Sequence, residues 1–296
     1  MSTGTDPLAP LAQLPGVPDA VAEVRKAVDR LYGHRVMRRR AAEVTSESAL
    51  RGARASAALA GADWPLEEVR RRTDFGADAE ARTVGAGLRV AAEAGQLLSI
   101  WRHSPLQVLA RLHLLAVGDG DPAAGRPRRA GEGAEELFPL ELAPVESVEV
   151  DAVDGPPPLL PPAPGAEEVA ARLDQLSRLL VARAEGQGVG TPALVVASVV
   201  HGELLALRPF GAYNGVIARA AQRIVLIAEG LDPKAICPAE VGLAELGTDT
   251  YRRALAGYLA GTPEGMAAWI AHCGRALRLG VRESTAVCEA MQRGMA

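Results

Sequence analysis

Apolar residues recur at helical spacing along most of the chain. Val21, Val24, Val28 and Leu31 lie three or four apart and predict a helix capped by Asp19. A second periodic stretch covers 43–60 and stops at Gly61. "DWPLEEVRR" then predicts a short helix with Asp63 as cap, Pro65 in its first turn, and acidic residues where the helix dipole favours them. The spacing continues through 78–100 and 105–117, the latter opened by Ser104 as cap and Pro105 at the first helical position.

Between Gly118 and Gly165 the period breaks, and prolines and glycines cluster. Within this segment "VESVEVDAV" sets Val145, Val148, Val150 and Val153 at mostly two-residue steps, which predicts a short strand or hairpin. Helical spacing returns at 166–185. Residues 193–207, "ALVVASVVHGELLAL", are apolar on nearly every side, the pattern of a helix buried inside a bundle. A turn then opens "VIARAAQRIVLIAEG", which Gly230 closes with Pro233 beyond it, and two or three further helices fill 248–292. Residues 1–18 read as a flexible tail. The remainder, 19–296, reads as one domain: N-terminal helices to 117, a loop segment at 118–165, and core helices at 166–292.

Composition narrows the class. The chain has 296 residues, 48% of them hydrophobic but only 3% aromatic, so the core must be made of close-packed aliphatic helices and the fold is expected to be all-α. A net charge of −4 lacks the basic surplus of a general polyanion binder, so no nucleic acid is expected. Arg35 to Arg40 is a local exception, and Arg38 to Arg40 reads as a solvated helix face. Cys237, Cys273 and Cys288 have no paired short spacing, which suits a reducing compartment. No stretch reaches the ~18 apolar residues of a membrane span, and the N-terminus lacks a basic start followed by an apolar run. A cytoplasmic protein without a membrane partner is expected.

The candidate chemistry lies in "LRPFGAYNGVIAR", residues 207–219. An apolar helix, Pro-Phe, Asn-Gly, and a second helix with an arginine one turn in resemble the Fic (Fido) family, whose motif reads HPFx[D/E]GNGRxxR. Pro209, Phe210, Asn214, Gly215 and Arg219 match it. Arg208 stands in place of the histidine, Ala212 of the acidic residue, Tyr213 of a glycine, and Val216 of the first arginine. His201 lies seven residues before Arg208, where the family has a histidine on the preceding helix. Leu112-His113 followed by "GRPR" at 125–128 is similar to the family's LH…GxxR segment, and "LLPPAPGAEEV" to its Pro-Pro run. "YRRALAGYLAGTPEGMAAWI" is similar to its closing helices. The resemblance spans about residues 45–280 and implies a Fic-like helical bundle with a short β-hairpin flap in the irregular segment.

It also implies what has been lost. The family's histidine is a general base, and arginine, with a pKa above ~12, cannot release its proton near neutral pH. The acidic residue holds Mg²⁺ against the phosphates of ATP or another nucleotide, and Ala212 offers no oxygen ligand. Tyr213 crowds the backbone cradle, and Val216 removes one guanidinium. The backbone of Asn214-Gly215 at a helix N-terminus, flanked by Arg208 and Arg219, remains as a phosphate or nucleotide site. The family's inhibitory pattern [S/T]xxxE[G/N] aligns with Ser56, Ala60 and Gly61, with Ala60 where the glutamate would be. Pro209, Phe210 and His201 read as structural parts of the motif, and His113 as a satisfied buried histidine. No metal site is indicated.

Two functions fit. The first is a Fic-fold protein without AMP transfer, a binding or regulatory module that engages a protein partner through the flap by β-augmentation. The second is a transferase of AMP or another phosphate-containing group with rearranged catalysis, with Asp119, Asp121 or Glu203 standing in for the base. Losing one general base costs about 10² to 10⁴ in rate.

Overall fold

The computed structural model describes residues 6–118, 120–150, 155–186 and 190–294. Its centre is the apolar helix α8 (Ala193–Leu207), in which Val195, Val196, Val200 and Leu207 are fully buried. A helix with no polar face has to be enclosed. The enclosing elements are α1 (Val17–Tyr32), α2 (Ala41–Ala58), α3 (Leu66–Arg71), α4 (Ala79–Ala94), α5 (Leu98–Trp101), α6 (Pro105–Val117) and α7 (Ala166–Ala184) before it. After it come α9 (Asn214–Ala228), α10 (Ala239–Glu245), α11 (Thr248–Ala260) and α12 (Pro263–Gln292). Helix α9 pairs with α8, and α2, α4, α5 and α6 lie against α9. On the other flank α11 and α12 contact α8, while α1 and α10 pack on α12.

Helix starts follow local chemistry. Asp78 caps α4 by accepting from the Ala81 N–H at 2.8 Å, and Thr262 caps α12 by accepting from Gly265 N–H at 3.1 Å. Pro105 and Pro263 occupy first-turn positions, where no N–H is needed. Several expected boundaries move. The cap of α1 is Gly16 at φ 79°, with Asp19 inside the first turn. Helix α2 ends at Ala58, and Gly61 turns the chain at φ 100°. Pro65 rather than Asp63 precedes α3, because Asp63 pairs with Arg54 at 2.5 Å. Ser104 makes no side-chain cap bond.

Three larger expectations are corrected. Residues 6–18 are packed rather than loose: Ala9–Gln13 form a 3₁₀ turn, Leu8 and Val17 join the core, and Asp6 pairs with Arg183 at 3.0 Å. Among the described residues there is no strand. At 145–150 the chain turns, with Val148 N–H donating to Val145 O and Val145 N–H to Glu245 O, so Val148 is buried instead of paired in a hairpin. The remainder of the expected flap, 151–153, lies outside the described residues. The stretch 78–100 is two helices, α4 and α5, rather than one.

Helix α10 has no forecast in the sequence because seven residues are too few to show a period. It is seated by glycines. A Cβ on Gly242 would lie 1.9 Å from Ala276 O and one on Gly280 2.4 Å from Pro238 O, so the backbones of α10 and α12 touch. Buried Arg223 of α9 grips Glu240 of α10 with two bonds, at 3.1 and 3.0 Å. No described helix is long and apolar enough to cross a membrane.

Candidate functional site around the 208–215 turn

Two non-glycine residues in the turn between α8 and α9 have left-handed backbone, Arg208 at φ 42° and Tyr213 at φ 61°. Such positions cost on the order of 1–3 kcal/mol each and persist only where neighbours enforce them. Three side chains do so. Asn214, 1% exposed, closes a ring with Phe210: its Oδ1 accepts from Phe210 N–H at 2.9 Å and its Nδ2 donates to Phe210 O at 2.8 Å.

Arg128 holds the turn from outside. Its N–H donates to Pro209 O (2.8 Å) and its Nε to Arg208 O (2.7 Å). Nη2 reaches Leu207 O (3.3 Å) and Pro164 O (3.1 Å), and Nη1 reaches Glu132 O (3.0 Å). His113 stacks on Phe210 with ring centroids 4.2 Å apart and accepts from Gly125 N–H at Nδ1 (2.9 Å). Burial pushes the His113 pKa down to about 4, so the ring is neutral at ordinary pH. The Leu-His segment, the "GRPR" segment and the Pro-Phe turn thus meet in one place.

The Asn214 N–H at the start of α9 is already bonded. It donates to Oε1 of Glu135 at 2.5 Å, and Glu135 N–H in turn donates to Gly211 O at 3.0 Å. The carboxylate sits where the helix dipole and free N–H groups attract an anion. Burial raises its pKa, opposed by N–H groups of Tyr213 and Asn214 and by the charge of Arg219. Sequence reasoning gives no hint of Glu135, which stands in "GEGAEELF" beside Glu132 and Glu136 with nothing to set it apart.

Arg219 faces inward. It is 2% exposed, with Nε donating to Ser56 Oγ at 2.9 Å and Nη2 to Ser56 O at 2.8 Å. Gly215 makes room for it, since a Cβ there would lie 3.0 Å from Nη1. Ser56 belongs to α2, while Ala60 and Gly61 lie in the turn after that helix. Arg208 turns away to Pro161 O at 2.6 Å, and its buried Nε has no partner. Burial, and then the charge of Arg128, lower its pKa.

His201 is fully buried and shares a 2.6 Å hydrogen bond with Tyr251 Oη through Nε2. Burial, followed by the charge of Arg219, holds its pKa well below the ordinary value. Glu203 is held by Arg172 at 2.8 and 2.9 Å and by Tyr258 Oη at 3.0 Å. Asp121 caps a local turn by accepting from Ala123 N–H at 2.7 Å, and Asp119 lies outside the described residues. Asp121 and Glu203 are thus engaged away from the Asn214 turn, whereas Glu135 bonds it directly.

The donor set does not fit Mg²⁺ in the family's manner. Ala212 supplies no side-chain oxygen, and among the described residues no three His, Cys, Asp or Glu side chains form a metal group. Space is also short, because the gap that Val216 lines with Ser56, Gly52 and Ala220 is about 10 Å³, room for a water molecule at most. Cavities of about 590 Å³, beside Arg51 and Glu283, and about 550 Å³, between α11 and α12, are lined by no residue of the turn.

No protein-family model matches the sequence, and no curated protein does. Solved structures do match. A Fic family protein from Desulfovibrio desulfuricans G20 superposes with a TM-score of 0.68 at 22% identity, over 92% of this chain and 75% of that one. Fic-1 from C. elegans gives 0.60 at 14% identity, over 93% and 73%. A Fic domain containing signaling protein from Bacteroides thetaiotaomicron VPI-5482 gives 0.60 at 11% identity, over 92% and 97%. At these identities the likeness is one of architecture, and the helical arrangement built around the 208–215 turn is the Fic fold.

Proposed function

We propose that this chain is a Fic-fold binding or regulatory module that does not transfer AMP. The observation that carries the proposal is the bond from Asn214 N–H to Glu135. A nucleotide phosphate would need the same N–H groups, and a carboxyl oxygen held there blocks it. The substitutions around it act in the same direction. Arg208 cannot serve as base, Ala212 cannot hold a metal, and Arg219 is engaged by Ser56. A phosphate-bearing ligand would enter by displacing Glu135, without a base to use it.

The partner surface proposed for such a module is the irregular segment before α7. Val145 is 44% exposed, and Leu159, within "PPPLLPP", is 93% exposed. An exposed leucine within a proline-rich stretch suits polyproline recognition by a partner.

Calorimetry with ATP, CTP, GTP and CDP-choline, with and without Mg²⁺, tests the reading together with mass spectrometry for transfer to protein. The expected result is no transfer, and nucleotide binding by Glu135→Ala at least tenfold tighter than by the natural chain. Transfer by the natural chain would instead establish the rearranged transferase.

A further inference from the structure

The hairpin of α11 and α12 contains a second place with unsatisfied chemistry, remote from the motif. At the hairpin's closed end the two backbones touch, since a Cβ on Gly265 would lie 2.2 Å from Gly257 O. Farther along, the facing positions are Ala254, Ala268 and Ala271, whose small side chains leave a groove of about 550 Å³. That volume is within the usual range of small-molecule sites, about 300–1,000 Å³.

Polar groups gather at the groove's open end: Asp249, Thr250 and Arg253 from α11, His272 and Arg275 from α12. His272 is 7% exposed, its ring packs beside those of Tyr251 and Trp269 with centroids 5.5 and 6.0 Å away, and its Nε2 has no hydrogen-bond partner. A buried ring nitrogen in that state requires an explanation, because such atoms are nearly always satisfied. Burial, then the charge of Arg275, push the ring's pKa down to about 3, so it is a neutral donor or acceptor. Arg275 forms no ion pair among the described residues, unlike Arg172 with Glu203 or Arg126 with Glu132. Arg253 bonds the Gly155 carbonyl and likewise has no carboxylate partner among the described residues.

We propose that this groove binds a small organic oxyanion, a carboxylate or phosphate, held by Arg253 and Arg275 with the His272 ring in its floor. Among the described residues lining it, two guanidiniums face the single carboxylate of Asp249. Guanidinium forks match carboxylate and phosphate oxygens in pairs. The first turn of α11 adds the positive end of a thirteen-residue helix. The three alanines offer an apolar wall for the ligand's carbon skeleton. Nothing in this proposal depends on the state of the 208–215 turn.

The test is ¹⁵N NMR of the His272 imidazole during separate titrations with inorganic phosphate and succinate. The natural chain, Arg275→Ala, and Ala271→Leu are compared; the last fills the groove without changing its charge. The expected result is a saturable shift at His272 with at least one of the two anions, which identifies the headgroup. Binding should weaken at least tenfold in Arg275→Ala and vanish in Ala271→Leu. No saturable shift with either anion, or equal binding by both variants, would overturn the site.

Discussion

Arg219 of α9 holds Ser56 of α2 by its hydroxyl and its carbonyl together, at 2.9 and 2.8 Å. The guanidinium therefore works as a cross-brace between two helices, fully desolvated and with its donors aimed at protein oxygens. Arg219→Ala should lower stability by about 2–4 kcal/mol, because it leaves the Ser56 carbonyl and a cavity behind. Arg219→Lys should recover little, since an ammonium cannot reproduce the fork. Urea denaturation of both variants measures this. A fold as stable as the natural chain's would return Arg219 to the role of ligand contact.

Glu135 gives a pH signature. Its folded pKa is raised above 4.5, so its stabilising contribution is complete below the ordinary glutamate range and is lost as pH rises through the folded value. Glu135→Gln cannot ionise yet can still accept from Asn214 N–H. The variant should therefore gain stability relative to the natural chain as pH rises through that window, then keep a constant margin. Paired urea titrations from pH 4 to 8 read the margin, and a margin that shrinks with rising pH contradicts the assignment.

His113 works in the opposite sense. Its pKa falls from 6.5 to about 4, so the stability it contributes is present above pH 6.5 and lost as pH falls through about 4. The full loss is on the order of 3 kcal/mol. A ¹H titration of the His113 ring should give a midpoint near 4. A midpoint near 6.5 would mean that the stack on Phe210 is open to solvent.

Arg128→Met keeps the aliphatic stem of the side chain and removes the charge. It should cost about 3 kcal/mol or more, since the carbonyls of Leu207 and Arg208 lose their donor inside the protein. Hydrogen exchange should quicken first in residues 207–214. Unchanged protection there would show that Asn214, His113 and the backbone bond at 128 suffice to hold the turn.

Sequence made the helices with long apolar periods or proline starts legible: α6, α8 and α9 fall within a residue or two of their expected limits. It could not show α10, because seven residues carry no period and its seat is written in Gly280 of another helix. Nor could it separate the alternating valines of 145–150 from a strand, because burying Val148 in a turn uses the same spacing. At the site, resemblance located the turn and singled out Ser56. The occupant of the helix N-terminus was hidden because Glu135 reaches Asn214 from seventy-nine residues away.

Arg128 touches the turn only through main-chain oxygens, and oxygens of that kind exist whatever side chain a position carries. The contour of residues 207–210 is thus recorded at positions 113, 128 and 214, while the side chains at 208, 212 and 216 remain free to vary in kind. Form and reactivity have separate addresses in this chain, so the second could be rewritten without erasing the first.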